Sequence, residues 1–590
     1  MVAAVWAELH RQGLVPLDAL LGVTEARWPG RLELVPGAPA WLLDGAHNPP
    51  GVAALAQALP AYCTESKRAL LVGVSGGHEA ALLALAAIPG ELHLVGGFYR
   101  AAPVDTQMAL LPPGRVTARW PDVPTALAAL STRRDKALIV VAGSLVSGGR
   151  GPGGLGAMTP VERLFEGDKH GAGPGLHRMS ALLAHPELSV LSTIPTARVA
   201  GTNGKGSTCA FLSEILRASG RSVARFTSPH MNDPRERFWR DGADISAEAL
   251  AEIAAWTHEQ VTLYEARFPG DRVGAFERQV LSFARWVAQD PPDAVVLEVG
   301  IGGRLDSTRA WPCGLAGLTS VDLEHTALLG PTRLDIALEK AQAAPSGGVL
   351  LLGALPGELQ RRVIGACEVW GIHAEPVAES AVVREARLDG DQMTAWLSLP
   401  QHGLDLGPVR LGLLGLHQAE NAATATALAL RLCGVRGEEA ARRFEPALRS
   451  GLAAACWPAR LERVAEDPPT YLDAAHTPDA ARRLAESLPG LLQGRALVLV
   501  AACSADKDAA AVLSPLVGLA ELVITTRSAR GQGAEALRGL VVGLGCEGGA
   551  GRGAGWGGVG GGAGGGAGVR RRGGAGGEFV RGGGGEGRRD

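Results

Sequence analysis

The stretch VAGTNGKGST, residues 199–208, decides how this chain of 590 residues is organised. A short apolar run at 197–201 leads into it, and a helical pattern from Thr208 to Ala218 follows it. A glycine-rich turn between a strand and a helix can hold phosphate groups with its backbone N–H groups and with the N-terminus of the helix. We therefore predict a phosphate-binding loop made by Thr202, Asn203, Gly204, Lys205, Gly206 and Ser207.

Two residue types make this loop stand out from the rest of the chain. Only six of the 57 basic residues are lysine, and asparagine occurs four times. Where arginine is used almost everywhere, a surviving lysine is more often one that arginine cannot replace. Lys205 can reach the outer phosphates of a nucleotide, and Ser207 or Thr208 can face a metal ion. Because Gly206 separates the lysine from the hydroxyl, the strict GxxxxGK[ST] pattern is not met, and an ordinary glycine turn is the alternative.

The segments around this loop predict a parallel α/β sheet. Four apolar segments each end at a turn rich in glycine or polar residues: 197–201, 222–229, 294–300 and 318–322. In open α/β sheets, ligands bind at the carboxyl ends of the strands. We expect the functional site at that edge.

An internal repeat gives the second organising feature. WPGRLE at 28–33 recurs as WPARLE at 457–462, and in both copies an aspartate follows the arginine by 13 residues. The flanking segments match too, and each predicts a buried strand, a polar turn, an amphipathic helix and another buried strand. The first copy continues to an apolar segment at 137–149, whereas the same distance in the second copy ends in glycine-rich sequence. The second copy is therefore expected to lack its last strand.

These patterns divide the chain into five parts. The tail is too rich in glycine, alanine and arginine to bury a core, so we expect disorder there, and a shifted reading frame is one hypothesis for its origin. The predicted parts are a first copy of the repeated unit (1–147), a linker (148–157), a central nucleotide-binding unit (158–434), a second, truncated copy (435–544) and the tail (545–590).

Composition excludes several classes of protein. A formal charge of −3 gives no general attraction to nucleic acid or to anionic membranes. No apolar run reaches the roughly 18 residues of a membrane span, and no signal peptide follows Met1, so a cytoplasmic location is expected. The eight cysteines are widely spaced without a CxxC pair, which fits neither a disulfide framework nor a zinc site.

Taken in order, ten motifs of the chain resemble the folylpolyglutamate synthase and dihydrofolate synthase branch of the Mur ligase family. The resemblance covers about 158–540, while 1–150 resembles a detached C-terminal domain of the same family. The motifs are GTNGKGS, TSPH (227–230), RER (235–237), FE (276–277), EVGIGGRLDST (298–308), EHTALLG (324–330), EKA (339–341), HQAEN (417–421), WPARLE and LDAAHTP.

The resemblance implies a P-loop ATPase domain of the Mur ligase type followed by a Rossmann-like C-terminal domain. It also implies an ATP-dependent ligase: ATP phosphorylates a carboxylate, the amine of L-glutamate attacks the acyl phosphate, and phosphate leaves. The carboxylate would belong to folate or dihydropteroate. The family's habit is a cytoplasmic monomer.

Family positions also imply the groups that hold the cations. Ser207, Ser228, Glu298 and His325 fall at the positions of Mg²⁺ ligands, and a K⁺ ion is a further implied cofactor. Lys340 matches a lysine that the family carries as a carbamate, which converts a cation into a carboxylate. Arginine has no nucleophilic amine and could not replace it. Lys205, Lys340 and His325 are thus the expected catalytic residues, and for Lys340 a plain helix-surface lysine is the alternative.

The remaining candidates bind nucleotide or acceptor. Asn421, Arg460 and Asp473 occupy positions that in the family contact base, phosphate and ribose, with a structural ion pair of Arg460 and Asp473 as the alternative. The expected acceptor pocket adds a hydrophobic wall and polar groups, for which core packing and surface salt bridges are the alternatives. Its residues are Phe276, Arg237, Gly303, Arg304 and Asp306.

Some positions depart from the family pattern. Glu324 stands where an aspartate is usual, Arg309 where an asparagine is usual, and Ala474 and Thr477 replace a glycine and an asparagine that the first copy keeps. These departures leave two alternatives open: another amino-acid ligase of the Mur type, or a nucleotide-binding protein that has lost ligase activity.

A further hypothesis is that the first copy, with Arg31, Asp44 and His47, docks in place of the truncated second one. The alternative is that the first copy is a leftover of gene duplication without a role. Sequence does not separate dihydrofolate synthesis from polyglutamylation.

Overall fold

The computed structural model describes residues 32–35, 38–46, 48–74, 79–96, 103–133, 135–143, 159–165, 171–505, 507–526, 531–544 and 567–570. The predicted linker, most of the predicted tail, Arg31 and His47 lie outside the described residues. Within the described part of the chain, no helix is long and apolar enough to cross a membrane.

The N-terminal unit is a six-stranded sheet with helices on both faces. The sheet order is β1-β2-β6-β3-β4-β5, with β1 antiparallel and the other pairs parallel. Each face carries its own buried core, so the apolar runs of the strands are covered on both sides. Its elements are β1 (Glu33–Val35), β2 (Ala40–Asp44), α1 (Pro49–Ala58), β3 (Arg68–Gly73), α2 (Glu79–Ala86), β4 (Glu91–Val95), α3 (Val104–Ala109), β5 (Ala118–Trp120), α4 (Val123–Ser131) and β6 (Leu138–Gly143).

The central unit is built on an eight-stranded sheet of order β10-β9-β8-β11-β7-β12-β13-β14. The six strands from β8 to β14 in this order are parallel, which confirms the predicted sheet. Its elements are α5 (Pro160–Phe165), α6 (His177–Leu183), β7 (Thr196–Ala200), α7 (Lys205–Ala218), β8 (Val223–Phe226), β9 (Phe238–Arg240), β10 (Ala243–Asp244), α8 (Ala247–Arg267), α9 (Ala275–Gln289), β11 (Ala294–Glu298), β12 (Leu315–Leu318), α10 (Thr326–Leu329), α11 (Arg333–Ala341), β13 (Val349–Leu352), α12 (Gly357–Val369) and β14 (His373–Pro376).

A short helix, an antiparallel three-stranded sheet and two long helices complete the central unit. They are α13 (Val377–Ser380), β15 (Val382–Asp389), β16 (Gln392–Leu399), β17 (Leu404–Leu411), α14 (Gln418–Leu432) and α15 (Gly437–Ala454). α15 crosses α7 closely, because Gly451 leaves room for the backbone of Ile215. α15 therefore packs in the core of the central unit, beyond the boundary predicted at residue 435.

The C-terminal unit repeats the start of the N-terminal one but not its sheet. Its elements are β18 (Glu462–Glu466), β19 (Pro469–Leu472), α16 (Pro478–Leu492), β20 (Val498–Ala501), α17 (Ala509–Val517), β21 (Leu522–Thr525), α18 (Ala534–Gly543) and β22 (Ala567–Arg570). In the N-terminal unit β6 joins β2 to β3, whereas among the described residues here β18 and β19 form one sheet and β20, β21 and β22 another. This is the arrangement expected when the last central strand is missing.

β22 is a finding that the sequence does not predict. Its four residues lie inside the predicted disordered tail, yet they pair antiparallel with β21. Backbone N–H and C=O groups along an open sheet edge accept a further strand whatever its side chains are. For residues 567–570 the structure therefore differs from the predicted disorder.

Candidate active site

A cleft of about 1240 Å³ opens where β7, β8, β11 and β12 end and where the C-terminal unit meets the central unit. This is the sheet edge at which ligands of α/β proteins bind. Every predicted site residue lines the cleft except Gly303 and Lys340. Asp44 of the N-terminal unit is not among the lining residues, whereas its counterpart Asp473 is.

The phosphate loop connects β7 to α7 as predicted, although the helix begins at Lys205 rather than at Thr208. Gly204 is left-handed, with φ 82°, and it turns the first N–H groups of α7 towards the cleft. A side chain there would also collide with Asn421, whose Oδ1 lies 2.3 Å from the position of a Cβ. The loop geometry thus requires glycine at this position.

Lys205 folds back onto its own loop. Its Nζ donates to the carbonyl oxygens of Gly201, at 3.0 Å, and Thr202, at 3.1 Å. Thr319 holds the loop from below, because its hydroxyl donates to the carbonyl of Asn203 at 2.6 Å. The ammonium group of Lys205 thus satisfies two carbonyls at the start of the loop.

Two of the predicted metal ligands, Glu298 and Ser228, meet at the end of β11, and the other two, Ser207 and His325, line the same cleft. Glu298 is 4% exposed, and its Oε2 accepts a 2.8 Å hydrogen bond from the backbone N–H of Ser228. Burial raises the pKa of Glu298, although the nearby positive charge of Lys205 acts in the opposite direction. Ser207 is buried in the first turn of α7, and His325 is left-handed, with φ 52°.

This donor set fits magnesium. Mg²⁺ is usually held by one or two carboxylates together with substrate phosphates rather than by a complete protein cage. In the described part of the chain, no group of three His, Cys, Asp or Glu side chains could hold a metal alone. A cation between Glu298 and nucleotide phosphates would complete its coordination with those phosphates and offset the cost of the buried carboxylate.

Lys340 lies behind the phosphate loop rather than on the helix surface. It is 3% exposed, and its Nζ donates to the carbonyl of Gly201 at 2.9 Å. Burial, with a smaller contribution from the charge of Lys205, lowers the pKa of Lys340 to about 7. A large fraction of this amine is therefore neutral, and hence nucleophilic, near neutral pH.

Glu324 links the central unit to the C-terminal unit. Its Oε1 lies 3.2 Å from Nε2 of His476 and 3.6 Å from Nζ of Lys507. Burial alone would raise the pKa of Glu324, but the hydrogen bond with His476 and the charge of Lys205 bring it down to about 2. The carboxylate is thus charged and paired across the cleft.

The predicted nucleotide residues lie together on the wall formed by α14 and the C-terminal unit. Asn421 is buried, and its Nδ2 donates to Oε1 of Gln418 at 2.9 Å. Asp473 accepts the backbone N–H groups of Leu461, at 3.0 Å, and Ala475, at 2.8 Å. Arg460 bonds only the carbonyl of Ala459 in the described structure, and no ion pair joins it to Asp473. The structural ion pair considered for these two residues is therefore not formed.

The cleft also contains a half-buried cation, Arg237. Arg237 donates to Nδ1 of His230 and to Oε1 of Gln279, both at 2.8 Å, and its guanidinium lies 5.6 Å from the ring centroid of Phe165. Burial lowers the pKa of Arg237 to about 10, so the group stays charged. No carboxylate of the described residues pairs with it. Phe276 forms the expected hydrophobic wall, close against Gly300.

Three other acceptor candidates mainly shape their own loop. Asp306 is buried and accepts hydrogen bonds from the N–H groups of Gly300, Ile301 and Thr308. Arg304 pairs with Glu339 at 2.9 Å. A Cβ on Gly303 would lie 2.6 Å from the carbonyl of Lys340, so this glycine permits close packing on α11. Roles of these three in substrate binding stay predictions.

Several cleft residues were not among the candidates. These residues are His230, Gln279, Glu324, His417, Arg483, His476 and Lys507. His230, Glu324, His417 and His476 lie in quoted motifs, so position in the motif was the available signal for them, whereas Gln279, Arg483 and Lys507 lie outside the quoted motifs.

Comparisons with known proteins agree with this arrangement. A family model described as "Mur ligase, glutamate ligase domain" matches residues 459–550. A Halobacterium salinarum protein, "Probable bifunctional folylpolyglutamate synthase/dihydropteroate synthase", is 34% identical over 59% of this chain. The match spans only 41% of that longer protein.

Two solved structures are similar as well. The Mycobacterium tuberculosis folylpolyglutamate synthase with ADP and AMPPCP is 30% identical, with a TM-score of 0.54 over 62% of this chain and 83% of that one. The E. coli FolC in complex with DHPP and ADP is 30% identical, with a TM-score of 0.54 over 65% of this chain and 86% of that one.

A curated relative settles the family. The Bacillus subtilis protein "Dihydrofolate synthase/folylpolyglutamate synthase" is 32% identical over 58% of this chain and 77% of its own length. Together with the phosphate loop, the buried Glu298 and the two-unit cleft, this similarity shows that the chain belongs to the dihydrofolate synthase/folylpolyglutamate synthase family of Mur-type ligases.

Proposed function

We propose that this protein is an ATP-dependent ligase that joins L-glutamate to the carboxylate of folate or dihydropteroate through an acyl phosphate. One observation carries the proposal: a phosphate loop and a half-buried arginine, Arg237, line the same cleft, and no carboxylate of the described residues lies within ion-pair distance of this arginine. The loop suits the phosphates of ATP, and the cation suits a carboxylate or phosphate of the second substrate. Solved structures of relatives, one in complex with DHPP and ADP and one with AMPPCP and folate, support this pairing of ligands.

Different residues of the cleft would bind ATP and activate the acceptor carboxylate. N–H groups at the start of α7 hold the phosphates, and Arg460 reaches them from the C-terminal unit. Glu298 and the hydroxyls of Ser207 and Ser228 would hold Mg²⁺, which neutralises phosphate charge when bound. The acceptor carboxylate takes the terminal phosphoryl group, the glutamate amine then attacks the acyl carbon, and inorganic phosphate leaves.

We further propose that Lys340 acts as a carbamate. The neutral amine adds to CO₂ and loses a proton, which gives a carboxylate in a pocket where the amine already touches the phosphate loop. A lysine with a pKa of about 7 is suited to this addition. Lys340→Arg should abolish ligation while the melting temperature stays close to that of the unmodified protein. Near-normal turnover of this variant would contradict the assignment.

Phosphate release tests the main proposal. Purified protein is incubated with ATP and Mg²⁺, with and without glutamate, and with dihydropteroate or tetrahydrofolate as acceptor. Release that requires glutamate and one of the acceptors is the expected result, and the effective acceptor distinguishes dihydrofolate synthesis from polyglutamylation. Replacing potassium salts by sodium salts in the same assay tests the predicted K⁺.

Two alternatives have distinct outcomes in this assay. ATP binding without glutamate-dependent release would indicate a nucleotide-binding protein that has lost ligase activity. Release that depends on another amino acid would indicate a different Mur-type ligase. The proposed enzyme is a cytoplasmic monomer, and light scattering during gel filtration measures its mass directly.

A further inference from the structure

Trp457 lies against the phosphate loop without lining the cleft. A Cβ on Gly206 would be 2.8 Å from Cε2 and Cζ2 of the Trp457 indole, a distance at which one of the two groups must move. This contact explains the glycine that interrupts the strict phosphate-loop pattern between Lys205 and Ser207. The indole occupies the space that a side chain at 206 would need.

The same indole is one side of a stack with a buried arginine. The Cζ of Arg225 lies 5.1 Å from the ring centroid of Trp457 and 4.2 Å from that of Trp239. Arg225 is 6% exposed, and its Nε has no hydrogen-bond partner in the described structure. A desolvated guanidinium between two indoles is a strong form of cation–π contact, so the stack fixes Trp457 to β8.

Trp457 stands between two structural units. It follows α15, whose Gly451 lies against the backbone of Ile215 in α7, with a hypothetical Cβ at 2.4 Å. Arg460 comes three residues later and lines the cleft. Ala459 and Leu461, on either side of Arg460, both have positive φ, of 52° and 47°. The arginine is thus carried on a tight turn, close in the chain to a fixed indole.

We propose that Trp457 is a positioning residue that holds Arg460 and the first turn of α7 in register for the phosphates of ATP. The proposal rests on the function proposed above. It assigns Trp457 no contact with the substrate. Its effect passes through Gly206 on one side and through the turn that carries Arg460 on the other.

The test compares three tryptophan variants. Trp457→Ala should raise the KM for ATP about tenfold, because Arg460 and the first turn of α7 are no longer held in place. The KM for the acceptor should stay within about twofold, because the substitution leaves the acceptor-binding residues in place. Trp457→Phe keeps an aromatic face and should recover most of the loss. Trp396→Ala is the matched control, since Trp396 stacks with Arg387 at 6.0 Å on the three-stranded sheet, away from the cleft, and should leave both KM values unchanged.

Two double mutants show whether the effect passes through the named neighbours. Adding Trp457→Ala to Arg460→Ala should cost little beyond Arg460→Ala alone, because the positioned group is already absent. Gly206→Ala should raise the KM for ATP less in the Trp457→Ala background than in the unmodified protein, since the indole with which the new methyl group would collide is gone. Full additivity in both cycles, or equal losses in the two KM values, would overturn the proposal.

Binding of a fluorescent ATP analogue separates this proposal from the proposed function. If glutamate-dependent phosphate release is absent but the analogue binds, the ligase assignment fails, and Trp457→Ala must still weaken binding about tenfold. If unmodified protein binds the analogue and Trp457→Ala binds it equally well, the positioning role is wrong whatever the catalytic activity.

Discussion

At the scale of single residues, Glu324 shows what one departure from the family pattern does. Its carboxylate reaches both His476 and Lys507 on the C-terminal unit. Nδ1 of His476 lies 2.9 Å from the carbonyl oxygen of Ala474, and its Nε2 lies 3.2 Å from Oε1 of Glu324. Polar contacts of one carboxylate with His476 and Lys507 therefore join the two walls of the cleft.

Shortening this side chain tests these contacts. Glu324→Asp removes one methylene, so the carboxylate no longer reaches both His476 and Lys507, and the free energy of unfolding should fall by about 1.5–3 kcal/mol. The KM for ATP should rise as well, because Arg460 and Asp473 lie on the wall that is released. Glu324→Gln keeps the length but not the charge, and urea titrations of the three proteins measure the differences.

Acid should remove the same contribution. The pKa of Glu324 is about 2, below its ordinary value of about 4.5, so its pairing stabilises the folded state fully above the ordinary value and is lost as the pH falls towards 2. The stability difference between Glu324→Gln and the unmodified protein should therefore shrink between about pH 5 and pH 2. A difference that stays constant over this range would show that the charge of Glu324 does not contribute.

At the scale of elements, the two copies of the repeat share their loop geometry in detail. Asp44 accepts the N–H of Leu32 at 3.0 Å and that of Ala46 at 2.9 Å, as Asp473 does with Leu461 and Ala475. The next helices, α1 and α16, are each capped by the side chain of the residue directly before the helix, Asn48 or Thr477. The segments after Asp44 and Asp473 therefore share these hydrogen bonds and helix caps, in spite of the change from asparagine to threonine. The assignment of residues 1–147 as a further copy of the family's C-terminal domain stays a prediction.

The features that sequence predicted well are those whose cause is local. An apolar run followed by glycines and a helical pattern predicts the strand, turn and helix around Lys205 without knowledge of the rest of the chain. The contact of Glu324 with His476 spans 152 residues, and the collision avoided at Gly206 depends on a tryptophan 251 residues away. Such contacts follow from how units pack, so motif and periodicity could name the residues near them but not the contacts.

Packing between helices α15 and α7 gives a prediction with a built-in control. Gly451→Ala places a methyl group 2.4 Å from the backbone of Ile215, and since backbone cannot yield locally the helices must separate, at a cost of about 1–3 kcal/mol. Gly365→Ala in α12 adds the same methyl group in open space and should stabilise the helix by about 0.5–1 kcal/mol. Thermal melts should move in opposite directions, and a shared direction would contradict the close crossing.

At the scale of the whole molecule, one copy of the repeated unit has a complete sheet and the other contributes to the cleft. In the N-terminal unit β6 joins both halves of the sheet, while in the C-terminal unit the described strands form two separate sheets. Yet Arg460, Asp473 and His476 of the C-terminal unit line the cleft. The unit whose described strands form a single sheet is therefore not the unit that lines the cleft.

This separation leads to opposite expectations for the two roles considered for residues 1–147. Because the attached copy already supplies the cleft wall, a protein that starts at Met158 should keep its KM for ATP and its glutamate-dependent phosphate release within about twofold, as expected for a unit whose described residues do not line the cleft. Asp473→Ala in the full-length protein should by contrast impair ATP binding, and Asp44→Ala should not. If the shortened protein is inactive and adding residues 1–147 as a separate chain restores activity, the N-terminal copy docks at the cleft and the attached copy does not suffice.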